Sequence, residues 1–238
     1  MSGETKVDFP YGSVVDDSHQ LIEMAGTPIL SSAPRNGSLF RRLSPYAEGS
    51  VSILIVRVVA PNGSTSKSID ELTNSILGNG SNDPDLVTLK SQYRDCSHGK
   101  LEFVQAPDRD GISTEIRKGG TTISIDTRNT EGHSAMRNAI TKELNYQFKV
   151  TKPDELAMHV MYCLPPDTLS GVAYATVNSW NSVYNDDWCV KLSAQVHEIG
   201  HNLGLAHSND RGAYKDQSGM VSYTVGNNFV LICQYLYF

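Results

Sequence analysis

Residues 195–208, with the sequence QVHEIGHNLGLAHS, constrain the fold more than any other part of the chain. They hold three of its seven histidines, His197, His201 and His207. His197 and His201 are four residues apart, so a helix places both imidazoles on one face, about one turn apart. Gly204 can take the left-handed conformation that ends a helix, which lets the chain turn back. The stretch therefore predicts a helix and a glycine turn that together gather three imidazoles, with His207 returning towards the other two.

Three neutral imidazoles gathered in this way are typical ligands of a catalytic zinc ion, since they leave one coordination position open. Glu198 is rotated by roughly 100° from His197 and lies beside the ligands, where a base for water belongs. The pattern H-E-x-x-H-x-x-G-x-x-H is expected by chance roughly twice in a hundred thousand chains of this composition. A structural zinc site is disfavoured, because such sites use four protein ligands and usually include cysteine. We predict one catalytic Zn²⁺ ion, bound by His197, His201 and His207, with Glu198 as the catalytic base.

The remaining pattern predicts an α/β (α+β mixed) fold with a twisted mixed sheet. The run VSILIVRVVA, from Val51, predicts a buried strand. Ser68 and Glu71 form a capping-box pattern for a helix through Ile76. A second helix is predicted within DPDLVTLKSQYRDC, starting after Asp83. Residues 134–148 predict an amphipathic helix, and strands are predicted within GKLEFVQA, GGTTISIDT, AMHVMYCLPP and GVAYATVNSW. The histidine helix is expected to pack on the sheet.

The first 50 residues differ from the rest of the chain. They are rich in Ser, Pro, Gly and Asp and show no sustained periodicity. We predict a poorly ordered linker or pro-segment at 1–50, followed by the catalytic domain at 51–238. The pair Arg41 and Arg42 is either a processing site or simply solvated charge.

Composition excludes several classes of partner. The formal charge of -6 and the pI near 5.6 give no basic footprint for nucleic acid. The sequence contains no run of about 18 or more apolar residues, so it predicts no membrane span. No signal peptide is visible at the start. The sequons at Asn36, Asn62 and Asn79 favour export, as does the even number of cysteines.

Four cysteines allow three disulfide connectivities, which the sequence leaves open. A bond between Cys163 and Cys189 would tie the strand before the active site to the start of the histidine helix. Asp186 and Asp187 are interpreted as a solvated loop, and a calcium ion there stays unknown. His159, in an apolar strand, is interpreted as a hydrogen-bonded core histidine and not a ligand.

The long histidine pattern followed by a Met-turn is the metzincin signature. Met220 stands thirteen residues after His207, in the tight turn Ser218-Gly219-Met220. Together with LIVRVV, LKSQYRDCSHGKLEFVQA and NSWNSVYNDDWC, these motifs resemble the gametolysin family of algal metzincins over residues 51 to 223. The resemblance implies that Met220 forms an apolar floor beneath the metal. It also implies secretion and action on cell-wall and extracellular-matrix glycoproteins.

The chain departs from this family in two places. Some metzincins carry a tyrosine two residues after the turn methionine, where this chain has Ser222, and we assign no role to Tyr223. The family continues into a further helix behind the substrate pocket, whereas this chain ends eighteen residues after Met220. We therefore expect a catalytic domain truncated after the Met-turn.

An extended protein or peptide substrate, possibly a glycoprotein, would pair with an edge strand. The candidate strand consists of Gly171, Val172, Ala173, Tyr174 and Ala175. The prediction is thus a zinc endopeptidase acting on extracellular or cell-wall proteins. Two alternatives stay open: a metzincin of another branch with a different substrate, and a catalytically silent zinc-binding paralogue. Cleavage preference and oligomeric state do not follow from the sequence.

Overall fold

The computed structural model describes residues 49–61, 63–78, 87–126 and 133–205, with His133 by its backbone alone. The chain divides into two units, Met1–Arg41 and Arg42–Phe238. In the first unit the structure describes only the backbone of four short strands, which pair antiparallel as β1 with β4 and β2 with β3. They are β1 (Lys6–Asp8), β2 (Val14–Val15), β3 (Leu21–Glu23) and β4 (Ile29–Ser31). A linker or pro-segment at residues 1–50 stays a prediction.

The second unit is built on a mixed sheet around the long strand β5. Its strands are β5 (Gly49–Ala60), β6 (Gly63–Ser64), β7 (Leu101–Gln105), β10 (Gly120–Ser124), β11 (His159–Leu164), β12 (Ala173–Ala175) and β13 (Asn181–Asn185). A separate hairpin joins β8 (Arg109–Asp110) to β9 (Glu115–Ile116). β7 and β10 follow one another along one side of β5, and β11, β13 and β12 follow on the other side. All of these are parallel to β5 except β12, which pairs antiparallel with β13, while the short β6 pairs antiparallel with β5.

Four α-helices cover this sheet within the described residues. They are α1 (Ile69–Leu77), α2 (Leu89–Cys96), α3 (His133–Phe148) and α4 (Leu192–Asn202). α1, α2 and α4 pack on one face, and α3 packs on the other. The mixed α/β fold and the mixed sheet that the sequence predicts are confirmed. None of the described helices is long and apolar enough to cross a membrane.

Helices on both faces explain the continuous apolar run of β5. Val51, Ile53 and Ile55 point into the core beneath α1, α2 and α4. The intervening Leu54 and Val56 point into the core beneath α3. A parallel strand covered on both sides has no solvent face, so it needs no polar alternation.

The ends of α1 and α2 show how local capping sets helix bounds. Ser68 and Glu71 exchange the predicted capping-box hydrogen bonds, at 3.2 Å and 2.8 Å, so the predicted start of α1 is confirmed. The predicted start of α2 after Asp83 is wrong, because the helix begins at Leu89. There a second capping box closes between Thr88 and Ser91, whose side chains each accept from the other's amide.

A disulfide bond joins Cys163 of β11 to Cys189, with the two Cα atoms 5.6 Å apart. This is the pairing that the sequence analysis singled out among the three connectivities. Cys189 lies in a 3-10 helix (Asp186–Val190) immediately before α4, and its carbonyl accepts a hydrogen bond of 2.8 Å from Gln195. The disulfide therefore ties the start of α4 to the centre of the sheet. Cys96 is also disulfide-bonded.

His159 opens β11 as a core residue, with 1% of its surface exposed. Its ring lies edge-on to Phe103, with the two centroids 6.3 Å apart. Neither ring nitrogen has a hydrogen-bond partner within the part of the chain that the structure describes, so the expected burial is confirmed and the expected hydrogen bonding is wrong there. Burial lowers the pKa of His159 to about 4, because a charged imidazole would be poorly solvated there.

Because the imidazole of His159 is buried, we predict that the folded protein loses stability in acid. An unfolded histidine titrates near pH 6.5, so below that pH the unfolded chain binds a proton that the folded chain refuses until about pH 4. The free energy of unfolding should therefore be lost as pH falls from 6.5 to 4, by up to about 3 kcal/mol. Urea unfolding of zinc-free wild type and His159→Leu across this range measures the difference.

The exposed His98 supplies the control. His98→Gln should keep the wild-type pH profile, while His159→Leu flattens it. Parallel profiles for wild type and His159→Leu would contradict the assignment of a neutral buried imidazole.

Candidate metal centre

The helix α4 carries the histidine pattern and is anchored through its apolar side. Val196, Ile199 and Leu203 are buried in the core between α4 and the sheet. Tyr93 of α2 donates a hydrogen bond of 2.8 Å to the carbonyl of Val196. These contacts fix which side of α4 faces away from the sheet.

His197 and His201 meet on the outer part of α4, as helical spacing requires. Their Nε2 atoms are 3.2 Å apart, and the ring planes are nearly perpendicular at 89°. The Nδ1 atom of His201 lies 2.8 Å from the carbonyl of Leu205. A carbonyl only accepts, so Nδ1 carries the proton and Nε2 presents a lone pair towards His197.

This geometry fits a zinc ion. Two nitrogens bound tetrahedrally at about 2.0 to 2.1 Å would lie roughly 3.3 Å from each other. The observed Nε2 separation of 3.2 Å is close to that spacing. The hydrogen bond from Nδ1 of His201 to a backbone carbonyl is the kind of outer contact that orients metal-binding histidines.

The turn that follows α4 contains Gly204, which has φ of 102°. The amide of Gly204 donates to the carbonyl of His201, and the amide of Leu205 donates to the carbonyl of Gly200, both at 2.9 Å. This pair of bonds is the Schellman arrangement, which needs a left-handed residue at the Gly204 position. The turn also brings the Leu205 carbonyl to the ring of His201. The glycine thus ends the helix and orients one histidine.

Glu198 is buried between α4 and the edge strand β12. Burial raises the pKa of Glu198 to about 8, although a hydrogen bond from the amide of Ala175 favours the charged form. Its Oε2 atom has no hydrogen-bond partner among the described residues. A divalent cation at the nearby imidazoles would favour the carboxylate and oppose this shift.

The predicted substrate strand is shorter than expected. β12 spans Ala173–Ala175, and Gly171 and Val172 form a bend before it. The register places Gly171 opposite Asp186, where β13 has already ended and the backbone has a positive φ of 44°. The ladder therefore stops at the bond from the Asn185 amide to the Val172 carbonyl.

β12 nevertheless lies at the end of the strand order in the described sheet. Backbone groups of antiparallel strands alternate between the two sides. Val172 bonds to β13, so the next residue, Ala173, directs its N–H and C=O away from the sheet. The same alternation directs Ala175 outward, consistent with its hydrogen bond to Glu198.

Two predicted site residues, His207 and Met220, lie outside the described residues. Within residues 49–61, 63–78, 87–126 and 133–205, no group of three or more His, Cys, Asp or Glu side chains could hold a metal ion. The structure thus brings together His197, His201 and Glu198, while the third predicted ligand stays a prediction.

The acidic pair after β13 serves a loop contact. The carboxylate of Asp186 accepts from the amide of Ser66 at 2.7 Å and from its hydroxyl at 2.8 Å. Asp187 lies 3.4 Å from the same hydroxyl. These bonds fasten the loop after β6 to the segment that leads into α4.

Sequence reasoning missed the groups that surround Glu198 and His201. The Ala175 amide and the Leu205 carbonyl are backbone atoms, which leave no signal in residue identity. Ser182 and Tyr184 of β13 are also buried beside the site. Their spacing of two residues predicts a shared strand face, but only the fold shows that α4 covers that face.

Comparisons of the sequence with models of protein families and with curated proteins find no match.

The left-handed conformation of Gly204 predicts which of two variants loses more folding free energy. Gly204→Val should weaken folding by about 1 to 3 kcal/mol, because a β-branched residue is strained at positive φ. Gly204→Asn should lose less, since asparagine tolerates the left-handed region. Urea unfolding of the zinc-free proteins measures both, and equal losses would contradict the conformational argument.

Proposed function

We propose that this chain is a zinc-dependent endopeptidase of metzincin type, in which Glu198 is the general base. The observation that supports it most directly is the convergence of the His197 and His201 Nε2 atoms, 3.2 Å apart, beside the buried Glu198. His207 is proposed as the third ligand and Met220 as the floor of the site. One zinc ion bound there would supply a Lewis acid and lower the pKa of water towards ~7.

Each protein group has a defined task in this proposal. His197 and His201 hold the metal through Nε2, and Leu205 keeps the His201 ring oriented through Nδ1. Glu198 takes a proton from the attacking water and returns it to the leaving amine. Its place one residue after His197, buried between α4 and β12, supports this task, because a general base must lie within hydrogen-bond reach of the water that it activates.

An extended peptide is proposed to bind along β12. The outward N–H and C=O groups of Ala173 and the outward C=O of Ala175 are suited to pair with such a chain. Because the Ala175 amide also contacts Glu198, a peptide paired at this edge would run directly past the base.

We further propose an extracellular setting and a gametolysin-like substrate, a cell-wall or matrix glycoprotein. The Cys163–Cys189 disulfide supports export, because such bonds persist in oxidising compartments. The first alternative is a metzincin of another branch that cleaves a different protein substrate. Hydrolysis of hydroxyproline-rich wall glycoprotein, compared with casein and gelatin, separates these two.

A catalytically silent zinc-binding module is the alternative of a different class. Glu198→Ala separates it from the enzyme, because alanine removes the base but leaves both described imidazoles. We expect about one zinc per chain by mass spectrometry in wild type and variant. Cleavage of a denatured protein should fall by a factor of about 100 or more in the variant, within the range of general-base effects.

The exposed Glu115, on the β8–β9 hairpin, supplies the matched control. Glu115→Ala should keep both zinc and activity, and a chelator should abolish wild-type cleavage. Stoichiometric zinc without cleavage in wild type would favour the silent module. A folded chain without zinc would overturn the proposed ligands.

The edge strand supports a second test. Ala173→Pro removes an outward N–H without breaking the ladder to β13, so it should raise KM several-fold and leave folding largely intact. Tyr174→Pro is the contrasting variant, because its N–H faces β13 and its loss should destabilise the sheet. Unchanged KM for peptide cleavage by Ala173→Pro would count against peptide binding at β12.

A further inference from the structure

Several buried polar atoms of α4 and β13 have no hydrogen-bond partner among the described residues. Three of them are the Oε2 atom of Glu198 and the hydroxyl oxygens of Ser182 and Tyr184. Ser182 and Tyr184 are completely buried. Buried polar groups in folded proteins are nearly always hydrogen-bonded, so three such atoms in one region require an explanation.

The strand register places these groups together. Ser182 lies opposite Ala175, and Tyr184 lies opposite Ala173. Side chains two residues apart on a strand share a face, and here that face is the one covered by α4. The helix α4, which carries the buried Glu198, packs on both β12 and β13, so the carboxylate of Glu198 lies near the same part of the sheet.

Electrostatics support this proximity. Burial raises the pKa of Tyr184 well above its ordinary range, and the charge of Glu198 raises it further. The nearby Ser182 hydroxyl lowers the pKa of Tyr184, although the two hydroxyls do not meet the geometry of a hydrogen bond. The hydroxyls of Ser182 and Tyr184 thus lie close to each other, and Tyr184 lies close enough to Glu198 to be affected by its charge.

The chemistry of the three groups is complementary. Two hydroxyls can donate, and a carboxylate oxygen can only accept. A single buried water with three polar partners is also well satisfied, since such waters typically make about three hydrogen bonds.

We propose that Ser182 and Tyr184 are positioning residues for Glu198, whose Oε2 atom accepts a hydrogen bond from one buried water that in turn accepts from their two hydroxyls. The Ala175 amide and the two hydroxyls then hold the carboxylate from different sides. The catalytic consequence rests on the proposed function, whereas the hydrogen-bond network does not. The experiment therefore has one readout without activity and one with it.

The first readout is a double-mutant cycle on the full chain without zinc. Tyr184→Phe and Glu198→Ala are measured singly and together by urea unfolding. Their effects on the unfolding equilibrium constant should be non-additive by a factor of about 3 or more, as for residues in one network. Tyr162→Phe combined with Glu198→Ala is the control, because Tyr162 is buried but bonds to Thr141 on the α3 side.

The second readout is kinetic. Tyr184→Phe and Ser182→Ala should each lower kcat by about tenfold or more, with KM and zinc content unchanged, because a misplaced base acts only in the chemical step. Tyr162→Phe should keep kcat. A purely structural role would instead lower the active fraction equally in the Tyr162 and Tyr184 variants.

The outcomes separate the two proposals. An additive cycle for Tyr184 and Glu198, together with unchanged kcat in Ser182→Ala, would overturn the network. Non-additivity in a wild type that binds zinc but cleaves nothing would support the network and count against the proposed function.

Discussion

The packing of α4 on the central sheet is the contact on which the site depends. Val196, Ile199 and Leu203 occupy one side of this helix. At about 100° per residue, His197 and His201 point roughly 130° to 170° away from the middle of that side. An α-helix is stiff, so burial of the apolar side leaves the imidazoles no other direction to face. Packing on the sheet therefore orients the face of α4 that carries His197 and His201.

Packing alone would allow α4 to slide along its axis, and four further contacts oppose that motion. The Cys163–Cys189 disulfide fixes the segment before the helix, and Gln195 bonds to the carbonyl of Cys189. Tyr93 bonds to the carbonyl of Val196, further along α4. Glu198 then meets the Ala175 amide at a fixed height on the edge strand. The position of Glu198 thus depends on the disulfide, on α2 and on β12 together.

The features that the sequence predicts well are local or periodic. The capping box of Ser68, the helix over residues 134–148 and the left-handed Gly204 each depend on residues within one turn of each other. The start of α2 was predicted too early, because the Thr88 capping box competes with an equally plausible upstream signal. The end of β12 depends on where β13 stops, and the surroundings of Glu198 depend on three separate elements. Such contacts between distant segments leave no local pattern.

Unpaired buried atoms are informative here only because several of them converge. His159 also has no hydrogen-bond partner among the residues that the structure describes, but its neighbour is the aromatic ring of Phe103, and a neutral imidazole tolerates that setting. A buried carboxylate does not, because each unmet hydrogen bond costs roughly 1 to 3 kcal/mol and a charge costs more. Burial of Glu198 beside two hydroxyls and two imidazoles lowers stability unless those groups act on it. Functional sites often contain groups that lower the stability of the fold. The burial of Glu198 is therefore the strongest physical reason to regard this region as a candidate functional site.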